Sequence, residues 1–140
     1  MKKLLIVLFG IAAVVIVTVI VISFVINNKT DDLRIVKDTS YFSDFYIEGE
    51  KVYIKCELTI KNYSSVDKSF QLSAILKDDV KLGLLKSENL KGYNQELTND
   101  KFTIEKKTTE TFSVIFVGDF AGTNRKHDRN LPEIVITTIE

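Results

Sequence analysis

The sequence predicts an antiparallel β-sandwich of about seven short strands, carried behind one N-terminal transmembrane helix. Three observations lead there. The 140 residues divide sharply in composition: residues 4–26 hold 20 apolar residues out of 23 and no charge, whereas residues 27–140 hold 42 apolar and 36 charged residues. The second mix is that of an ordinary globular domain. Beyond residue 30, apolar residues recur with period two, the spacing that sends alternate side chains to opposite faces of a strand. No stretch of that part sustains a helical period for ten residues.

The N-terminal element comes first. As a helix, residues 4–26 extend roughly 35 Å, enough to cross a hydrocarbon core of ~30 Å with some tilt. A cleavable secretory signal has an apolar region of about 7 to 15 residues followed by small residues at the cut site. Here the run ends Ile22-Ser23-Phe24-Val25-Ile26-Asn27, with no such pattern and no cysteine for lipid attachment. The expectation is a retained anchor, residues 1–28, and a globular domain, residues 29–140. Lys2 and Lys3 precede the run and only Lys29 follows it closely. Basic flanks prefer the cytoplasm, so the N-terminus is expected inside and the domain outside the cytoplasm, at the cell membrane. No small-x-x-x-small pair marks a helix-dimer face, since Gly10 is followed four residues on by Val14.

In the domain, Val52, Ile54, Cys56, Leu58 and Ile60 alternate with Tyr53, Lys55, Glu57, Thr59 and Lys61, the clearest strand of the chain. After the turn-rich stretch 62–68, a second alternation follows in Phe70, Leu72, Ala74 and Leu76, and a third in Phe112, Val114 and Phe116. The last strand is Ile134–Ile139, dense in β-branched residues, with Pro132 placed just before it, where its missing N–H does no harm. Shorter candidates are Leu33–Lys37, Tyr41–Ile47, Val80–Leu85 and Lys101–Ile104. Glu48-Gly49-Glu50 and Lys77-Asp78-Asp79 read as hairpin turns, and Ser87–Leu90 as a single helical turn. Short strands separated by polar turns over ~110 residues define an antiparallel sandwich, and a domain of that size buries a core without covalent staples. Cys56 is the only cysteine, so no intrachain disulfide forms, and a lone thiol on an apolar face reads as a small core hydrophobe.

The order Leu58-Thr59-Ile60-Lys61-Asn62, polar turn, Phe70 to Leu76, Lys77-Asp78-Asp79, then Phe102-Thr103-Ile104-Glu105-Lys106-Lys107 leading into Phe112-Ser113-Val114-Ile115-Phe116 resembles the immunoglobulin-like extracytoplasmic domains of unknown function that Gram-positive bacteria carry behind an N-terminal anchor or lipoprotein signal. The likeness covers about residues 50–140. It implies an immunoglobulin-like sandwich and an envelope location, and it transfers no catalytic residues. The lipid-attachment cysteine of the lipoprotein members is missing, which leaves the helix as the attachment.

Composition excludes much chemistry. One His, one Cys and no Trp remove most metal and nucleophile-base constellations. From residue 30 onward, 16 basic and 19 acidic residues are interspersed, for a net charge of −3, without the clustered basic face that nucleic acid requires. Asp31-Asp32 and Asp78-Asp79 lack the alternating spacing of a calcium loop. His127 beside Asp128 does not make a triad, because base and orienting group must converge through geometry rather than adjacency. No enzyme activity, cofactor or metal is expected.

The most distinctive passage is the 15-residue stretch Gly118 to Pro132. Loops of that length without internal pattern are uncommon unless functional or disordered. Phe120 and Leu131 are placed to pin its base, while Arg125, Lys126 and Arg129, with His127, form a cationic tip for a protein partner or an anionic envelope component. The competing reading is a solvated loop in which Asp128 pairs with Arg125 or Arg129. Tyr93, in the second long loop from Lys86 to Asp100, is a further partner-contact candidate. Asn62-Tyr63-Ser64 matches a glycosylation pattern, which has meaning only outside bacteria. Two functions remain: a membrane-anchored binding or protein-interaction module of the cell envelope, or a structural accessory subunit that docks on a membrane complex through its helix.

Overall fold

The computed structural model describes residues 32–124 and 128–139. The chain divides into two compact units, Met1–Asp32 and Leu33–Glu140. The transmembrane helix expected over residues 4–26 lies outside the described residues. Among those described, no helix is long and apolar enough to cross a membrane.

The second unit holds eight strands among the described residues, all paired antiparallel: β1 (Leu33–Ile35), β2 (Tyr41–Glu48), β3 (Lys51–Asn62), β4 (Lys68–Ile75), β5 (Asn89–Tyr93), β6 (Phe102–Ile104), β7 (Thr109–Asp119) and β8 (Glu133–Ile139). They form one hydrogen-bonded sheet in the order β1-β3-β7-β5-β4-β6, with β2 also on β3 and β8 also on β4. The 12-residue β3 is its spine. Its inward residues Val52, Ile54, Cys56, Leu58 and Ile60 are each at most 1% exposed, while its outward residues Tyr53, Lys55 and Glu57 are half-buried.

β1 and β2 share one edge of β3 because a 3-10 turn, Lys37–Thr39, steps the chain from one pairing to the next. Ser40 closes the gap: its Oγ accepts from Thr59 N at 2.9 Å and donates to Val36 O at 2.8 Å. Gly49, at φ +58°, turns β2 into β3, with Glu48 facing Lys51. Asn62, fully buried, organises the turn into β4. Its Nδ2 donates to Val66 O at 2.9 Å and Glu105 O at 3.2 Å, and its Oδ1 accepts from Ser64 N at 2.9 Å. The Asn62-Tyr63-Ser64 triplet is thus a structural node with its amide turned inward.

Three expectations require correction between β4 and β7. Lys77-Asp78-Asp79 is not a hairpin turn and Val80–Leu85 is not a strand: Lys77–Lys81 is a short helix, α1, with Asp78 and Asp79 in its first turn and Lys81 in its last. That charge order suits the helix dipole. Gly83, at φ +77°, follows the helix end in the left-handed conformation typical of a helix stop. Ser87–Leu90 is not a helical turn either, because Asn89–Tyr93 forms β5. β5 hydrogen-bonds to β4 through Ser73, Ala74 and Ile75 and to β7 through Ile115, Phe116 and Val117, joining the two halves of the sheet.

One hydrophobic cluster unites inward residues of β3, β4, β5, β6 and β7, with β8 contributing Ile134 and Ile136. Phe70, Phe102 and Phe112 form an aromatic group within it or against it. The thiol of Cys56 lies in this core, and burial pushes it up to about 12 from its usual 9.0. A raised thiol pKa in the folded state means stability is lost as pH climbs from about 9 toward 12, where only the unfolded chain ionises. Iodoacetamide at pH 8 is therefore expected to leave the folded protein unlabelled and to label Cys56 fully in denaturant. Rapid labelling of the folded protein would place the thiol outside the core.

Candidate functional site

The strand pairings set two ends to the sheet. β1 starts at Leu33, opposite Asn62, and near that end lie the 62–68 turn and the start of β7. At the other end lie the Gly49 hairpin, α1 and the passage from Asp119 to Glu133. Ile54 and Asn62 lie eight residue steps apart on β3, about 27 Å along an extended strand.

A cleft of about 400 Å³ opens toward this second end. Phe42 and Ile54 supply one apolar wall, Leu76, Leu131 and Pro132 the other. Its rim carries Lys77, Asp78, Lys81, Asp128 and Glu133. The passage above it is laced to its surroundings: Phe120 N donates to Glu50 O at 2.8 Å, Ala121 N to Leu84 O at 2.8 Å and Thr123 N to Gly83 O at 3.0 Å. Phe120 and Leu131 pack against the core, as their apolar character predicts.

Arg129 lines the cleft with its guanidinium fixed on two sides. Nη1 donates to Asp79 Oδ1 at 2.7 Å, and the guanidinium carbon sits 4.1 Å from the centre of the Phe45 ring. The two side chains are 12% and 6% exposed. Arg129 therefore does not stand at a solvated tip. A weakly hydrated, planar cation stacks readily on an aromatic face, and Asp79 from the first turn of α1 offsets its charge. The ion pair thus runs from the 128–132 segment to α1. Arg125, Lys126 and His127 lie outside the described residues.

Tyr93 is in β5 rather than in a long loop. It pairs with Ile115 and is half-buried, with Lys91 Nζ 5.9 Å from its ring centre. Lys91 forms an ion pair with Asp100, whose carboxyl is held below the usual range chiefly by that hydrogen bond. Nearby, a smaller hollow of about 220 Å³ is bordered by Lys55, Glu57, Gln95 and Ser113. Ser113 Oγ lies 2.7 and 2.8 Å from the two carboxylate oxygens of Glu57, to which it donates. Glu57 and Ser113 face each other across the β3–β7 pairing, so this contact ties the outward faces of the two strands together. Tyr46 stacks on Tyr53 at 4.7 Å on the strands alongside, and burial first of all raises its pKa.

Among the described residues, no group of three or more His, Cys, Asp or Glu is placed to hold a metal ion. The residue that sequence reasoning missed is Asp79. A signal was present, in acidic residues just ahead of a short apolar-basic segment closed by Gly83, but five residues of helix leave no period to detect. Comparison of the chain with protein-family models, with curated proteins and with solved structures returned no match.

Proposed function

We propose that this protein is a single-pass, membrane-anchored binding module of the cell envelope, whose extracytoplasmic immunoglobulin-like sandwich receives its ligand or partner in the Arg129 cleft. The cleft carries this reading. It is concave, with apolar surface from Phe42, Leu131 and Pro132 around the Arg129–Asp79 pair and charged residues at its rim, a mix of apolar walls and placed polar groups usual in a binding site, and it lies at the end of the domain opposite Leu33, where the chain enters β1. The sandwich description draws support from the core: β3 and β4 are separated in the sheet by β7 and β5, yet their inward residues belong to one cluster, so the sheet folds over on itself with β5 bonded to both halves. The anchor over residues 4–26, with Lys2 and Lys3 on the cytoplasmic side, follows from length and flanking charge.

The test is photocrosslinking in intact cells of the natural host, with a photoreactive residue at Lys81 or Asp128 on the cleft rim and, as control, at Lys107 at the opposite end. A discrete adduct is expected from the rim positions and not from Lys107. It should persist when residues 4–26 are exchanged for an unrelated Leu-rich span, and external protease should remove it. An adduct that vanishes with the native helix would replace this reading by that of an accessory subunit held through its membrane segment.

A further inference from the structure

Resting on the cleft as the binding site, we infer that Arg129 is the receptor for a single negative charge, a carboxylate borne on an apolar body that fills the cleft. Guanidinium carries five N–H donors in a planar fork. In Arg129, Nη1 meets Asp79, and neither Nε nor Nη2 has a hydrogen-bond partner among the described residues. Those nitrogens are not sealed away, because no buried side-chain nitrogen or oxygen lacks a partner there. Arg129 lines the cleft, so its unspent donors reach that open space.

The fork is also held in place. Phe45 lies under its face at 4.1 Å and Asp79 grips one nitrogen, so little side-chain freedom is left to lose when an anion arrives. A charge-assisted, two-bond contact with a carboxylate matches the geometry of the free edge. Beyond it, Phe42, Leu131 and Pro132 offer apolar surface for the body of the ligand, beside the polar side chains of Asn130, Lys77 and Lys81. Among the described residues, the rim sets Asp78, Asp128 and Glu133 against Lys77 and Lys81, and Lys81 is already 3.5 Å from Asp78. Those three carboxylates oppose a second negative charge more than a first, so a monoanion reaches the half-buried guanidinium with less opposition than a dianion. Two sources share this chemistry, a small organic acid and the C-terminal carboxylate of a peptide ending in an apolar residue.

The full chain in lipid nanodiscs, with arginine side chains labelled with nitrogen-15, is titrated with phenylacetate, benzyl alcohol, phenyl phosphate and a tetrapeptide ending in Phe as free acid or amide. The Arg129 Nε resonance is expected to shift with phenylacetate and with the free-acid peptide, each bound about tenfold more tightly than its uncharged counterpart and than phenyl phosphate. The tighter of the two acids names the source. Asp79→Asn, which keeps an oxygen for Nη1 and removes the competing charge, is expected to tighten phenylacetate binding about threefold or more. Arg129→Lys, which keeps the charge and loses the fork, is expected to weaken it about tenfold. Benzyl alcohol binding as tightly as phenylacetate, or Asp79→Asn weakening the acid, overturns the assignment of Arg129 while leaving the cleft a binding site. Absence of a shift with every probe also overturns it, and the photocrosslinking result then decides the broader reading alone.

Discussion

Phe70→Ala is expected to destabilise the domain by about 3 to 5 kcal/mol, the usual cost of removing a buried aromatic ring. Phe70, near the start of β4, is fully buried. Its ring lies 5.8 Å from that of Phe102, nearly parallel, and 5.5 Å from that of Phe112, edge to face, while Phe102 and Phe112 meet at 5.7 Å. Three strands, β4, β6 and β7, thus lose a common contact, and a cavity bounded by two rigid rings collapses poorly. Phe70→Leu retains most of the volume and is expected to cost less than about 1.5 kcal/mol. Denaturant unfolding of the full chain, followed by tyrosine fluorescence, measures both. A loss below about 1 kcal/mol for the alanine variant would mean that the aromatic group is not assembled as described.

What could be read from the sequence was what periodicity carries. β3, β4 and β7 announce themselves because long strands with one buried face repeat an apolar residue at every second position, β8 does so by its run of β-branched residues, and the antiparallel all-β class follows from them. Their neighbours were harder. Nothing in Leu33–Ile35 and Tyr41–Glu48 says that both lie along the same edge of β3, since that depends on the Ser40 bridge to Thr59, a contact 19 residues apart. α1 was hidden by its length, and with it the partner of Arg129. The loop cations stand out by charge, but charge alone does not tell a solvated cation from one laid on Phe45 and tied to Asp79. That distinction needs two segments 50 residues apart to meet. Asn89-Leu90-Lys91-Gly92-Tyr93 carries no period-two apolar pattern that would mark a strand. In the fold the same residues form a strand because β4 and β7 flank them on both sides and supply the hydrogen bonds that local propensity does not.

Gly92 shows why that strand is so poorly advertised, and it sets the last expected result. Gly92→Val is expected to cost about 3 kcal/mol or more, at the upper end of what overpacking a core does. The position has no left-handed backbone angle, so the glycine is not there for conformational freedom. It is there for room: a Cβ would stand 2.9 Å from Phe116 Cε1, 2.9 Å from Val114 Cγ1 and 3.0 Å from the carbonyl oxygen of Leu72. Two of those atoms belong to side chains that can shift, but the third is backbone of β4, so relief means prying β5 away from its neighbour. Since β5 is the strand bonded to both halves of the sheet, the strain falls on the seam between them. Gly92→Ala should cost less, about 1 to 3 kcal/mol, and Phe116→Leu should not rescue it fully, because the Leu72 oxygen stays where it is. Amide hydrogen exchange locates the effect: protection is expected to drop first at Leu90, Lys91 and the facing residues Ile115 to Val117, and to hold in the β2–β3 hairpin. A Gly92→Val domain as stable as the wild type, with exchange unchanged along β5, would show that β5 does not close against β4 at this point.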